Sequence, residues 1–277
     1  MLIRFLAPLV VLSFALSAAD PVITSARPNA SIDSGFRQMY NLEFDQAHQT
    51  FTNWEREHPS DPLGPASNAA AYLFAEFDRL NILHSEFFVE DSLFKRRSKV
   101  TPDPGVHQAF DAELAKAEKL SDGILAQSPQ QTAAMFAKTI ALGLRADYLA
   151  LIERRDLDSL KIVKTGRALA ENLLSIDPSY YDAYLAVGVE NYLLSIKPAP
   201  VRWLLKMNGA ETDRDLGIHD LTLTAEKGRY LSPYARLLLA VAALRNKDRA
   251  KAAELLTQLA QEFPNNRLYA QELAHLK

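Results

Sequence analysis

The side chains most able to do chemistry are the histidines, and their spacing argues against a catalytic or metal centre. The chain has six, at His48, His58, His84, His107, His219 and His275. No two of them stand four residues apart, the spacing at which a zinc hydrolase helix presents two histidines on one face. The sequence also lacks a glycine-rich phosphate loop, a nucleophile turn with serine between glycines, and a calcium-loop pattern. We therefore expect no catalytic residue, no metal site and no bound cofactor.

Two charged groupings in residues 84–99 come nearest to a ligand site. His84, Glu86 and Glu90 carry metal-ligating groups, but on a helix only the two glutamates share a face. A solvated helical face is therefore the favoured interpretation. The basic run KRRSK at residues 95–99 would suit acidic lipid headgroups, peptidoglycan phosphates or an acidic partner. Its acidic surroundings favour a solvated loop instead.

Composition excludes several classes of protein. The chain has 277 residues, of which 48% are hydrophobic and 23% charged, so it has enough apolar material for a packed body and is not disordered. With 31 Lys and Arg against 34 Asp and Glu, it lacks the basic field that binds nucleic acid. It has no cysteine, which excludes disulfides, thiolate zinc sites and cysteine nucleophiles.

The first 19 residues have the pattern of a secretory signal peptide. Arg4 precedes an apolar stretch that ends in small residues at Ala19. The competing interpretation is a buried helix or an uncleaved anchor. However, the stretch is short against the roughly 20 residues of a membrane span, and Pro21 and Pro28 follow it. We expect export to the periplasm or the exterior and a soluble mature chain that starts near Asp20, with a linker at residues 20–29.

Small residues recur at fixed distances from four prolines that end helical patterns, Pro59, Pro129, Pro178 and Pro264. A small residue stands twelve positions before each proline. Further small residues lie twelve positions before Ala47 and Ala252, and ten positions after Pro59 and Pro178. Two helices pack about 8 to 10 Å apart only where the residues at their crossing are small. The predicted crossing residues are Gly35, Ala47, Ala69, Ala117, Gly166, Gly188, Ala240 and Ala252.

This frame resembles the tetratricopeptide repeat, a helix-turn-helix unit of about 34 residues. The resemblance is strongest over residues 35–62, 178–192 and 233–264. It is weaker in the middle, where Thr139 and Ser121 replace a small and a bulky residue. It implies an all-α fold, a right-handed α-solenoid of about 10 to 11 helices in antiparallel pairs, with one domain over residues 30–277. We predict helix pairs at 30–58, 63–127, 132–176, 180–228 and 232–262 and a closing helix at 266–276. An unrelated helical bundle is the alternative.

The resemblance also implies a concave groove lined by the first helix of each pair, where such repeats bind extended peptides. Almost all the groove positions are apolar, and Arg245 alone is basic, so a clamp for a peptide carboxylate is not expected. An apolar wall exposed to water is costly. Either insertions of the chain bury it, which we favour, or a ligand or partner helix does. The positions are Phe36, Met39, Tyr40, Leu73, Phe74, Phe136, Ile140, Leu144, Leu185, Val189, Tyr192, Leu193, Leu237, Val241, Leu244 and Arg245.

The spacing between the prolines exceeds the repeat length and predicts insertions near residues 80–105 and 196–212. The second contains a short amphipathic segment from Pro198 to Met207 around Trp203. Such a segment is able to lie on a membrane. Its shortness and its prolines favour packing as a plug against the helical body instead, with Trp203 buried.

These observations favour a non-enzymatic scaffold or adaptor of the bacterial cell envelope that binds a protein or peptide partner. The alternative is a carrier for a lipid or another apolar ligand held in the concave face. An enzyme is the least favoured class, because no nucleophile or metal constellation is recognisable.

Overall fold

Residues 31–82, 100–195 and 213–276 are described by a computed structural model, and eleven α-helices and no strands occur within them. This part of the chain confirms the expected all-α helical-repeat solenoid, and its helices fall within the predicted pair boundaries. The helices are α1 (Ile32–Tyr40), α2 (Phe44–Glu57), α3 (Leu63–Arg79), α4 (Pro104–Gln127), α5 (Thr132–Asp147), α6 (Asp156–Ile176), α7 (Tyr184–Ser195), α8 (Arg214–Lys227), α9 (Ser232–Arg245), α10 (Arg249–Glu262) and α11 (Arg267–His275).

Local signals set the ends of these helices. The side chain of Ser31 accepts a hydrogen bond from the backbone N–H of Ser34 at the start of α1. Asp103 caps α4 in the same way, with Pro104 at the first helical position. Helices α2, α4, α6 and α10 each end two residues before one of the four prolines, because a proline disfavours helical backbone in the residue before it. A π-helical turn (Tyr148–Glu153) extends α5 and ends at Arg154, which adopts left-handed backbone.

Each helix packs against the next along the chain. Most of the predicted small residues lie in these contacts, and Ala47, Ala69, Ala117 and Ala252 are fully buried. A Cβ atom on Gly35 would lie 2.2 Å from the ring of Phe51, so no larger residue fits there.

Two more of the predicted crossing residues are Ala240 and Gly166. Ala240 is 1% exposed and belongs to the main core. Gly166 differs from the others, because a Cβ atom there would meet only Leu142 at an ordinary 3.5 Å. The crossing at Gly166 therefore leaves room for alanine.

The first helices of the solenoid also contact the last ones. The ring of Tyr40 lies 5.6 Å from that of Phe263, and its hydroxyl donates a hydrogen bond of 3.1 Å to the carbonyl of Tyr230. Asn266 donates to the carbonyl of Tyr40 at 2.8 Å. On the surface, Arg229 binds Asp33 through two hydrogen bonds of 2.7 Å. These contacts close the solenoid on itself, and we call them the closure.

The loop between α8 and α9 is held in the closure by Asp182, which is 5% exposed. Its carboxylate accepts hydrogen bonds from the backbone N–H groups of Arg229, Tyr230 and Leu231 at 2.9, 3.0 and 2.8 Å. Because three donors converge on one side chain, the backbone of the loop that carries Tyr230 is held in place.

Candidate functional site

Two residues of the predicted concave wall, Phe36 and Phe136, are covered by aromatic side chains of the chain itself. Phe36 packs on Tyr230 with ring centres 5.0 Å apart. Phe136, which is 1% exposed, lies 4.8 Å from the ring of Tyr180 and 6.1 Å from that of Tyr230. Both tyrosines come from loops that connect helices. Among the described residues, the rings that cover Phe136 therefore belong to loops. The predicted insertions lie largely outside the described residues.

The other predicted wall residues divide among three places. Met39, Leu73, Ile140 and Leu144 are buried in the main core. A second, smaller cluster holds Leu185, Val189 and Tyr192 against α8 and α9. Val241, Leu244 and Arg245 are half-buried on α9, and the Leu193 side chain lies outside the described residues.

Several charged and aromatic residues considered from the sequence also lie outside the described residues. They are His84, Glu86, Glu90, residues 95–99, and the segment from Pro198 to Met207 with Trp203. Among the residues that are described, no group of three or more metal-ligating side chains is close enough to hold an ion.

A cleft of about 330 Å³ remains where the two ends of the solenoid meet, and we call it the closure cleft. Helices α1 and α3 with the turns after them form one side, and α9 and α11 form the other. Aromatic and aliphatic side chains make up most of the lining, with polar groups among them. The lining residues are Met39, Tyr40, Leu42, Phe74, Phe77, Asp78 and Asn81 on one side, and Tyr234, Leu237, Asn266, Arg267, Leu268, Tyr269, Gln271 and His275 on the other.

An ion pair joins the two sides of the closure cleft. Arg267 Nη2 of α11 lies 2.6 Å from Asp78 Oδ2 of α3, and more than half of the arginine side chain is exposed. Leu42 and Asn81, in the turns after α1 and α3, both have left-handed backbone, with φ of 62° and 52°. The two turns thereby end their helices beside the cleft. The two sides of the cleft thus meet through an exposed ion pair, which is weak in water.

The tyrosines of the closure cleft stay protonated, because burial raises the pKa of both Tyr40 and Tyr234 well above its usual range. The Tyr234 hydroxyl lies 3.4 Å from Asp147 Oδ2 on α5. Burial raises the pKa of Asp147 to about 7, and this long hydrogen bond opposes the shift only in part. These phenols are therefore neutral hydrogen-bonding groups and not nucleophiles near neutral pH, so the arrangement is suited to binding.

The sequence identified only part of this cleft. Met39, Tyr40, Phe74 and Leu237 were predicted as groove residues, whereas the α11 side was missed. The groove prediction considered the first helix of each pair, and α11 was taken only as a closing helix. The Asn265-Asn266 pair before α11 was the available signal, since its side chains donate to Glu43 in the turn after α1 and to the carbonyl of the last residue of that helix.

Comparison with protein-family models and with curated proteins finds no match to this chain. In the described ranges, no helix combines the length and the apolar character needed to cross a membrane.

Proposed function

We propose that the protein is a non-enzymatic interaction scaffold that binds a short segment of a partner protein in the closure cleft. The observation that carries this proposal is a cleft between the two ends of the solenoid that is lined by aromatic and aliphatic side chains with polar groups among them. Binding sites in proteins commonly combine a concave apolar surface with a few polar groups that orient the ligand. A volume of about 330 Å³ lies at the lower end of the range for such sites, which suits one or two side chains of a peptide.

The polar residues of the lining support a peptide over a lipid. Asp78, Asn81, Arg267, Gln271 and His275 supply hydrogen-bonding groups from both sides of the cleft, and an extended peptide offers a donor and an acceptor at every residue. A lipid needs a longer apolar surface. The rings of Phe36 and Phe136, which would extend the lining inward, are already packed against the chain's own tyrosines. The carrier is therefore the second candidate.

We also propose that the helix pairs are tetratricopeptide repeats and that the protein is exported to the bacterial cell envelope. The support is the frame of small residues and prolines and the signal-peptide pattern of residues 1–19. Export is tested by sequencing the N-terminus of protein recovered from the envelope or medium. The sequence should begin at or within a few residues of Asp20, and a mature form that retains Arg4 would contradict export.

The binding proposal is tested with two tryptophan variants of α11. Gln271 lines the closure cleft and Ala270 does not, although both side chains are exposed. Gln271→Trp should cover the cleft, whereas Ala270→Trp adds the same ring to a different face of the helix. Partners cross-linked in an envelope extract are identified by mass spectrometry, and synthetic segments of them are titrated against the wild type and both variants.

We expect Gln271→Trp to weaken segment binding by more than about tenfold, as for the loss of a central contact, and Ala270→Trp to bind like the wild type. Equal affinity in all three proteins would exclude the closure cleft as the site. A lipid found in native mass spectra of the wild type and missing from Gln271→Trp would favour the carrier.

A further inference from the structure

A polar cluster lies between α2, α3 and α4, and none of its residues lines the closure cleft. Asn68, which is 3% exposed, is at its centre. Its Oδ1 accepts a hydrogen bond from Nδ1 of His48 at 2.6 Å, and its Nδ2 donates to Oε1 of Glu55 at 3.1 Å and to Oε1 of Glu113 at 3.4 Å. Since an amide oxygen only accepts, Nδ1 of His48 carries the hydrogen. We call these four residues, with Lys116, the Asn68 cluster.

The two carboxyl groups of the Asn68 cluster have unequal partners. Glu55 is 8% exposed, and its Oε2 is bound by the ammonium group of Lys116. By contrast, Oε2 of Glu113 is buried and has no hydrogen-bond partner among the described residues. A buried oxygen without a donor is far more costly as part of a carboxylate than as part of a neutral acid.

The charges of the cluster balance only when Glu113 holds a proton. Glu55 and Lys116 cancel each other, and burial lowers the pKa of His48, which disfavours the charged form of its ring. Loss of the proton from Glu113 leaves one uncompensated negative charge beside Glu55. Burial and then repulsion by Glu55 raise the pKa of Glu113 to about 7, with Lys116 opposing the shift.

The other described residues packed around Glu113 do not supply the missing charge. Helix α3 contributes Asn68 and Tyr72, and burial raises the pKa of Tyr72, so both are neutral. Helix α5 also packs against α4. Its cationic residues Lys138 and Arg145 are engaged with Asp122 and with Glu118 of α4.

We propose that the Asn68 cluster is a proton-operated switch, which ties α2, α3 and α4 together while Glu113 is protonated and loosens them when that proton is lost. The switch does not depend on the proposed function. It acts within the first half of the chain and makes the stability of these helices depend on pH near neutrality.

The direction of the pH dependence follows from the two states of Glu113. In the unfolded chain the carboxyl has its ordinary pKa of 4.5, and in the folded chain the proton is held up to about pH 7. The cluster is therefore most stabilising at acidic pH and loses stability as the pH rises through this window. Above about pH 7 the loss is complete.

The experiment is hydrogen exchange measured by mass spectrometry at about pH 5.5 and about pH 8.5, with intrinsic rates corrected. Linkage predicts on the order of tenfold faster opening of α2, α3 and α4 at the higher pH, with little change in α10. Glu113→Gln, which keeps the neutral shape, should abolish the difference. Glu118→Gln is the control, because its carboxylate lies on the same helix and is paired with Arg145. It should retain the difference.

An unchanged pH dependence in Glu113→Gln would overturn the switch. Faster exchange at the higher pH that is confined to α5 and α9 would also overturn it. That pattern would point to Asp147, which lies on α5 and contacts Tyr234 of α9. If Glu113→Gln does not fold, a carbon-13 NMR titration of the Glu113 carboxyl in the wild type decides. A midpoint near neutrality supports the switch, and a midpoint near the ordinary value contradicts it.

Discussion

Phe136 illustrates how a single residue of the wall is stabilised by loops that are distant in the sequence. Its ring contacts Tyr180, before α7, and Tyr230, before α9. The backbone N–H of Tyr230 in turn donates a hydrogen bond to the Asp182 carboxylate. An apolar residue at this position was predictable from the repeat frame. Its covering rings were not, because nothing in the local pattern relates a groove position to a loop two helix pairs later.

We predict that Phe136→Ala destabilises the protein by about 3 to 5 kcal/mol, because it leaves a cavity between two fixed rings. The measurement is denaturant unfolding of protein stripped of lipid. Phe44→Ala, at the half-buried start of α2, is a control with a smaller expected loss. A change well under about 1 kcal/mol at Phe136 would mean that the ring faces open space, since it would then have few contacts to lose.

At the scale of elements, α7 and α8 approach each other more closely than side chains allow. A Cβ atom on Gly188 would lie 2.9 Å from the backbone nitrogen of Leu221, and one on Gly217 would lie 2.6 Å from that of Tyr192. These neighbours are backbone atoms, which do not move aside as the end of a side chain does. The repeat frame predicted a crossing at Gly188 but did not identify its partner Gly217.

We predict that Gly217→Ala destabilises the protein by about 1 to 3 kcal/mol through overpacking of this crossing. The matched control is Gly123→Ala on α4, where a Cβ atom would meet nothing within 4 Å. That change should stabilise by about 0.5 to 1 kcal/mol, because alanine loses less backbone entropy than glycine on folding. Thermal unfolding compares the two. Equal stabilisation by both substitutions would show that α7 and α8 are farther apart.

The ends of the helices were predictable from the sequence. Contacts between helices that are not consecutive in the chain were not. Pro59 and Pro264 act on the residues directly before them, so the ends of α2 and α10 follow from local sterics. The meeting of Tyr40 with Phe263 depends on the summed curvature of every intervening helix pair. Small changes at each crossing alter that sum, and a single sequence does not specify them.

At the scale of the whole molecule, the closure changes how stability is shared. In an open solenoid each repeat contacts only its neighbours, and stability is a sum of local terms. Here Tyr40 of the first helix packs on Phe263, after α10, and Phe74 of the third packs on Tyr234 of α9. The two ends therefore support each other directly.

We predict that Phe263→Ala increases hydrogen exchange in α1 to α3 as well as in α9 to α11, because Phe263 belongs to the core at both ends. The truncation should cost about 3 to 5 kcal/mol in total. Leu173→Ala, at an equally buried site on α6, is the control and should act mainly on α5 to α7. Faster exchange restricted to α9 to α11 in Phe263→Ala would mean that the closure is not formed in solution.

The closure also determines the order in which the molecule is completed during synthesis. Asn266 and the carbonyl of Tyr40 that it binds are 226 positions apart, so the first helix emerges from the ribosome long before its partner exists. Until the later helices are made, Phe36 lacks its contact with Tyr230, and Tyr40 lacks its contact with Phe263. Bringing such distant segments together has a large loop-closure entropy and is slow. We therefore expect closure to be the last step of folding, and the unfinished chain to expose an aromatic surface that a chaperone can hold until α11 has been made.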